Sequence, residues 1–320
     1  MPICLRLFSA IVAGRRAFMP NKKHIIVGLG ELLWDLFPQG KQLGGAPANF
    51  AYITNLLGDH GIPASRVGND SLGDEAIRKL SELGVNAESV QRDGVYPTGV
   101  VNVEFDARGQ PQYEIAQPVA WDFLEWTPAW QQLAREADAV CFGSLAQRSA
   151  PARATILRFV RATRPEALRI FDVNLRQKFY SREVLTESLQ FADIVKLNHE
   201  ELPTIMRLFD LDNRGEKDSA RCLLSLYDLK LVCMTQGANG SLLMSPTECN
   251  QHPGFPVANA NPVGAGDAFT AALVNGFLRG MTLAQINENA NRVGAWVAGE
   301  PGAMPTPPAR GLMKTLATIG

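Results

Sequence analysis

Asn261-Pro262-Val263-Gly264-Ala265-Gly266-Asp267 is the stretch of this chain best suited to chemistry. Small residues at a helix start leave backbone N–H groups open to an anion, and the helix dipole adds a favourable potential. The Gly264, Ala265 and Gly266 amides would receive the charge of a transferring phosphoryl group. Asp267, in the first turn, would orient and deprotonate an attacking hydroxyl. The plainer alternative is a strand-to-helix turn with Asp267 as its capping carboxylate. Neither common phosphate loop fits: G-x-x-x-x-G-K-[ST] is absent, and Phe269 stands where the dinucleotide fingerprint needs a third glycine. Far upstream, Gly44-Gly45-Ala46-Pro47-Ala48-Asn49 is a second glycine-rich stretch. Paired glycines let a backbone approach a ligand closely, and Pro47 suits a helix start. Asn49 offers a donor and an acceptor that suit a sugar hydroxyl, although a tight helix entry would use the same residues.

These residues must be positioned by something, and the chain alternates short β-rich runs with helical ones. Ile25–Leu29, Ala64–Val67, Ala139–Phe142, Leu168–Val173, Ile194–Leu197 and Leu231–Thr235 are expected strands. Ala46–Leu57, Gly73–Leu83 and Asp267–Leu278 carry helical spacing, the first two stopped by Gly58 and Gly84. Such alternation implies an α/β fold: a three-layer body whose mainly parallel central sheet is flanked by helices. Thr98–Asp106 breaks the pattern. Val101, Val103 and Phe105 face one way and Asn102, Glu104 and Asp106 the other, with a turn at Asp106–Gly109 and a return over Gln112–Ala116. That hairpin, with Glu31–Phe37 as its partner, is expected to form a small β-sheet lid built from about 31–37 and 98–117. The aromatic group Trp121, Phe123, Trp126 and Trp130 is expected to pack beneath it, since no basic stripe accompanies it.

Composition narrows the function classes. In 320 residues, 31 basic side chains stand against 32 acidic ones, which removes the footprint of a general nucleic-acid binder. Cys4, Cys141, Cys222, Cys233 and Cys249 form no C-x-x-C pair and no ligand-spaced set with the histidines, so a disulfide framework or structural zinc is not expected. A reducing cytoplasm is the expected home. No run approaches 18 apolar residues, so no membrane span is expected. Met1–Pro20, with three arginines and no acid, is expected to be a non-functional extension or a mis-assigned start, leaving one body over 21–320.

Gly44–Asn49 together with Gly264–Asp267 resembles the signature pair of the ribokinase-like (PfkB) carbohydrate kinases, from about His24 to Pro308. Further stations follow in the family's order. Gly30-Glu31 with Trp34-Asp35 resembles the exit of the first strand, where an aspartate binds sugar hydroxyls. Asp172-Val173-Asn174-Leu175-Arg176 resembles the D-x-N-x-R stretch of the fructokinase-like branch. Asn198-His199-Glu200-Glu201 matches N-x-x-E, and Thr235-Gln236-Gly237-Ala238-Asn239-Gly240 resembles the nucleotide-side loop T-x-G-x-x-G. Asn291 lies eleven residues before Gly302-Ala303, a spacing like that of the family's adenine-side asparagine.

The resemblance implies an ATP-dependent kinase acting on a sugar hydroxyl, most like a fructokinase, with ATP and Mg²⁺ as cofactors. Kinases of 2-keto-3-deoxygluconate, ribose or nucleosides, and a catalytically silent sugar-binding protein, are the alternatives. It gives Asp267 and the Gly264–Gly266 amides to catalysis. Asp35, Gly44, Gly45, Asn49 and Arg176 go to the sugar, Arg176 otherwise pairing with Asp172. Asn198, Thr235, Gly237, Gly240 and Asn291 go to the nucleotide, and Glu201 with Asn198 to Mg²⁺ through water. Asn261, Val263 and Gly302 match a potassium-binding segment. There the family writes D-T-x-G-A-G-D, whereas this chain has Asn261 and Pro262, so a charge is missing from that site. A homodimer formed through the lid is a further expectation, because the lid sheet has edges to cover.

Overall fold

The computed structural model describes residues 22–105, 111–308 and 312. Met1–Pro20 and the expected turn at Asp106–Gly109 lie outside the described residues. The strands are β1 (Ile25–Leu29), β2 (Leu33–Phe37), β3 (Gly40–Gly44), β4 (His60–Gly68), β5 (Val90–Asp93), β6 (Gly99–Phe105) and β7 (Pro111–Ile115). They continue with β8 (Ala139–Gly143), β9 (Leu168–Asp172), β10 (Ile194–Asn198), β11 (Leu231–Thr235), β12 (Ser241–Met244) and β13 (Cys249–His252). The helices are α1 (Ala46–Leu56), α2 (Ser71–Glu82), α3 (Pro128–Glu136), α4 (Ala150–Ala162), α5 (Arg182–Phe191), α6 (Glu201–Leu208), α7 (Glu216–Tyr227), α8 (Ala265–Leu278) and α9 (Leu283–Ala298).

Nine strands form one sheet in the order β13-β12-β11-β10-β9-β8-β1-β4-β5. All neighbours from β11 through to β5 pair in parallel, whereas β12 pairs antiparallel with both β11 and β13. Alternation along each central strand feeds two cores, because successive side chains point to opposite faces. Val27, Val140, Phe142, Val195 and Met234 join a cluster with residues of α3 to α7. Ile26, Cys141, Ile194 and Cys233 join a second cluster with α1, α2, α8 and α9. The expected three-layer α/β body is therefore present, with the antiparallel edge as an addition that the sequence reading lacked.

The order changes direction at β1, whose chain continues to β4 on one side while β8 and its successors lie on the other. In open α/β sheets the crevice outside the carboxyl ends of the strands at such a point is where ligands bind. A second, four-stranded sheet has the order β3-β2-β6-β7. The expected pairing of the 31–37 segment with the hairpin is present, as a parallel match of Leu33 to Gly99 and Asp35 to Val101. This register puts Asp35 on the same face as Leu33, Val101 and Ile115, which join the core. β3 was not anticipated; it ends at Gly44, so the first glycine pair begins inside a strand. Of the aromatic group, Trp121 is fully buried and lies against Gly99 of the small sheet. Trp126 and Trp130 instead meet Phe159 of α4 edge to face.

Close approach of α1 to the large sheet is what carries Asn49 to the carboxyl edge. A Cβ on Gly28 of β1 would lie 2.2 Å from the Pro47 carbonyl oxygen, so only glycine lets the helix settle there. Gly28→Ala should destabilise the protein by ~1–3 kcal/mol, the usual range for overpacking. Urea unfolding should show a lower midpoint at unchanged slope.

Candidate active site

Parallel register sets a row of functional side chains along the carboxyl edge. Gly143 is level with Asp172, Asp172 with Lys196, and Asn198 with Thr235. Helix α8 starts above this row and packs against α1 and α9. Gly264, at φ 77° in the left-handed region, turns the chain into α8. A side chain there would strike Ala303, at 2.4 Å.

The Ala265 amide bonds back to the Pro262 carbonyl at 3.2 Å. This corrects the expectation that all three loop amides face an anion: the Ala265 N–H is already engaged. Among the described residues the Gly266 and Asp267 amides have no acceptor, as the first turn of a helix requires unless a cap intervenes. Lys196 lies directly below, its Nζ 3.1 Å from where a Gly266 Cβ would be. The helix start, its dipole and a buried ammonium thus bring three favourable influences to one anion position.

Asn49 and Asp267, 218 positions apart in the chain, are joined by a 2.8 Å hydrogen bond from Nδ2 to Oδ2. Asn49 is buried, and its Oδ1 has no partner among the described residues. Burial pushes the Asp267 carboxyl up to about 6; Asp172 adds to the rise, while Asn49, Lys196 and Arg176 oppose it. Asp35 is likewise pushed to about 6 by burial, with Arg176 opposing. A side chain on Gly44 would come within 2.6 Å of Asp35 Oδ2, and one on Gly45 within 2.5 Å of the Glu31 carbonyl oxygen. The glycine pair is thus packed between two acids of the first-strand exit.

Arg176 is exposed and donates to the Leu175 carbonyl at 3.2 Å, while its charge is felt by Glu31, Asp35 and Asp267. The alternative pairing of Arg176 with Asp172 is corrected: Asp172 is held by Lys196, at 3.0 and 3.1 Å. Thr270 adds a hydroxyl 3.2 Å from Asp172 Oδ2. Burial alone would lower the Lys196 ammonium, but Asp172, Glu201 and Asp267 raise it overall.

The residues expected at magnesium and potassium are tied into their own turns through Glu201, Asn198 and Asn261. Glu201 accepts from the Leu175 amide at 2.7 Å and the Asn198 amide at 2.8 Å. Asn198 Oδ1 in turn accepts from the amides of Glu200 and Glu201, an exchange of the capping-box kind. Both side chains thus tie the ends of β9 and β10 to α6. No cluster of three metal-ligating side chains occurs among the described residues. Asn261 Oδ1 accepts from the Val263 amide at 3.1 Å, so this oxygen serves its own turn. Gly302, at φ 76°, lies beside Gln42 of the small sheet.

The Thr235–Gly240 turn adjoins Asn198 through a bond from the His199 amide to the Thr235 carbonyl. Gly237 and Gly240 both have positive φ, and a side chain at Gly240 would strike the His252 carbonyl at 2.0 Å. Asn291 does not face this loop directly. Its amide nitrogen donates to Ser241 Oγ at 2.7 Å and to the Asn287 carbonyl at 2.8 Å, tying α9 to β12. Sequence reasoning gave no role to Glu31, Lys196 or Thr270. A lone lysine inside the apolar run Val195–Leu197 was the available signal, since lysine is seldom buried without a partner.

A sheet edge that presents a carboxylate and open helix amides to one cleft, beside a small flanking sheet, defines a phosphotransferase for small alcohols. Residues 29–310 match the pfkB family of carbohydrate kinases. An uncharacterized sugar kinase of Pyrococcus horikoshii is 31% identical over 309 residues, covering 91% of this chain and 95% of its own. A fructokinase of Escherichia coli is 31% identical over 303 residues, covering 88% and 95%. The crystal structure of the Pyrococcus kinase in complex with ATP aligns with a TM-score of 0.76 at 30% identity, over 91% of this chain and 97% of that one. The chain belongs to the pfkB family of carbohydrate kinases.

The raised Asp267 carboxyl has a consequence for stability. A carboxyl that binds its proton more tightly when folded stabilises the fold fully below its unfolded value, near 3.8, and loses this as pH rises through about 6. Asp267→Asn has no charge to bury, so it should gain on the wild type with rising pH. Urea unfolding at pH 5 to 8 should show the variant more stable by ~1–3 kcal/mol at the upper end, the gap closing toward pH 5.

Proposed function

We propose that this kinase transfers the γ-phosphoryl group of ATP to a primary hydroxyl of a small sugar, as a fructokinase does. The contact between Asn49 and Asp267 carries the proposal: the side chain suited to a sugar hydroxyl is bonded to the side chain suited to activate it. The ATP complex of the Pyrococcus relative supports the nucleotide, and the Escherichia coli fructokinase supports fructose among the sugars.

Asp35, Gly44, Gly45 and Asn49 would hold the sugar, with the charge of Arg176 nearby. Thr235, Gly237 and Gly240 would line the nucleotide's path. Asp267 would take the hydroxyl proton while the Gly266 and Asp267 amides receive the charge of the phosphoryl group, which asks for positioning rather than covalent work. Closure of the small sheet would exclude water, the competing acceptor. A second copy of the chain over its outer strands β3 and β7 is the dimer this reading expects. Glu201 and Asn198, whose oxygens already accept backbone amides, would hold Mg²⁺ through water, and the ion would offset the charge of the polyphosphate. Among the described residues no helix is long and apolar enough to cross a membrane.

Asp267→Asn should lower kcat by ~10²-fold or more, the size of a lost general base, with the KM for sugar little changed. Coupled ADP detection measures it, and near-normal turnover would overturn the role of Asp267. The same assay run over fructose, ribose, 2-keto-3-deoxygluconate and nucleosides, with and without potassium, should give its highest kcat/KM with fructose. Sugar binding by calorimetry without ADP release from any of them would make the protein a silent binder.

A further inference from the structure

Between α1, α8 and the carboxyl ends of β1, β8 and β9 lies a cavity lined by Glu31, Pro47, Cys141, Asp172, Asp267 and Thr270. It offers about 20 Å³ to the centre of a water molecule, and one water needs ~10–15 Å³ with two to four polar partners. Glu31 is 3% exposed. Its Oε1 accepts from the Ala46 amide at 3.3 Å and so caps α1 from outside the helix. Capping explains the bond but not the acid, because a glutamine would cap as well. Asp267 Oδ2 accepts from Asn49 Nδ2, and Oδ1 is left for the cavity. Two carboxyls of the first importance to this cleft therefore line one water-sized space.

We propose that Glu31 is the proton store for Asp267, the two carboxyls exchanging a proton through the cavity that both line. The inference rests on Asp267 being the base of the proposed reaction. In the transfer, the bond from the sugar oxygen to the γ-phosphorus forms and the bond from that phosphorus to the β–γ bridging oxygen breaks, its electron pair leaving with ADP. The hydroxyl proton passes to Asp267. A water in the cavity then takes that proton and gives one of its own to the Glu31 carboxylate, which restores Asp267 without opening the site. Glu31 returns the proton to solvent after product leaves.

The electrostatics favour this direction. Glu31 is raised to about 7, first by burial; its own and the Ala46 backbone amides oppose this and the charge of Asp267 adds to it. Asp267, near 6, is the weaker base of the two. Of the other groups facing them, Asp172 on β9 raises Asp267, while Lys196 on β10 and Arg176 beyond β9 lower it. The Cys141 thiol on β8 is pushed well up by burial and stays neutral. Interacting acids of this kind titrate as a pair.

Glu31→Gln keeps the cap and the volume while removing the store. It should lower kcat ~10-fold, less than loss of the base itself, with the KM for sugar within about twofold. The kcat profile should lose the upper of its two steps and keep a single one. Wild-type kcat and pH profile in Glu31→Gln, with Asp267→Asn inactive, would overturn the store and leave the base in place. Near-normal turnover in Asp267→Asn would overturn the reading beneath it. A second measurement uses the wild-type fold: with ¹³C-labelled glutamate carboxyls, one carboxyl should titrate near pH 7 and move down in Asp267→Asn. A midpoint unmoved by that substitution, or no glutamate titrating above pH 5, would overturn the proposal.

Discussion

The buried ammonium of Lys196 is the counter-charge around which the acids of this cleft are arranged. It pairs with Asp172 at 3.0 Å and feels Glu201 and Asp267 as well. A lone carboxylate at the inner end of a parallel strand would be costly, and a lone lysine there equally so. Placed level on neighbouring strands, the two make each other tolerable, and their register is fixed by the sheet rather than by their own attraction. The surplus matters more than the pair. With Asp172 neutralising most of the lysine's charge, Asp267 and Glu31 gain little from it, so burial dominates and both carboxyls rise toward neutrality. On the proposed role of Asp267, a base matched to neutral pH would follow from an ion pair that is nearly self-contained.

Helix α8 adds a second constraint. A carboxylate in the first turn ordinarily gains from the helix dipole, which would hold Asp267 low. It is raised instead, so desolvation at the α1–α8 contact outweighs the dipole. The contact is close because its residues are small: Ala268, Ala271 and Ala272 on α8 and Ala48 and Ala51 on α1 are buried. Packing of the second core and the chemistry of the base are thus one arrangement. The fold gives up some stability at neutral pH to keep an acid where a neutral side chain would sit more easily.

Much of this was legible in the chain. Strand runs such as Leu231–Thr235 matched because a short apolar run between helical stretches has few other uses in an α/β body. The two glycine-rich stretches declared themselves because close backbone approach needs glycine, and both prove crowded at the Cβ position. What stayed hidden was pairing across long separations. Nothing local told that Asp172 would take Lys196 rather than Arg176 four positions on. Glu201 and Asn198 have the composition of metal ligands, yet the same oxygens satisfy backbone amides when the turn folds. The side-chain partners of Asn291 were hidden for a similar reason: spacing fixed its helix but not its bonds to Ser241 and Asn287. The edge strands β12 and β13 are short, and Cys249-Asn250-Gln251-His252 has no apolar face to mark it.

The Asn261 substitution can now be weighed against the base. A carboxylate at that position would add negative charge beside the open amides of α8 unless a cation offset it. Asparagine keeps the one contact that the turn requires, an acceptor for the Val263 amide, and brings no charge. On the proposed reading, an incoming phosphoryl group would meet the Gly266 and Asp267 amides and Lys196 with no anion added to Asp172 and Asp267. A cation at that corner would have less to neutralise and a weaker ligand to hold it. The proposed anion position would then stand chiefly on backbone amides, since Lys196 is shared with Asp172.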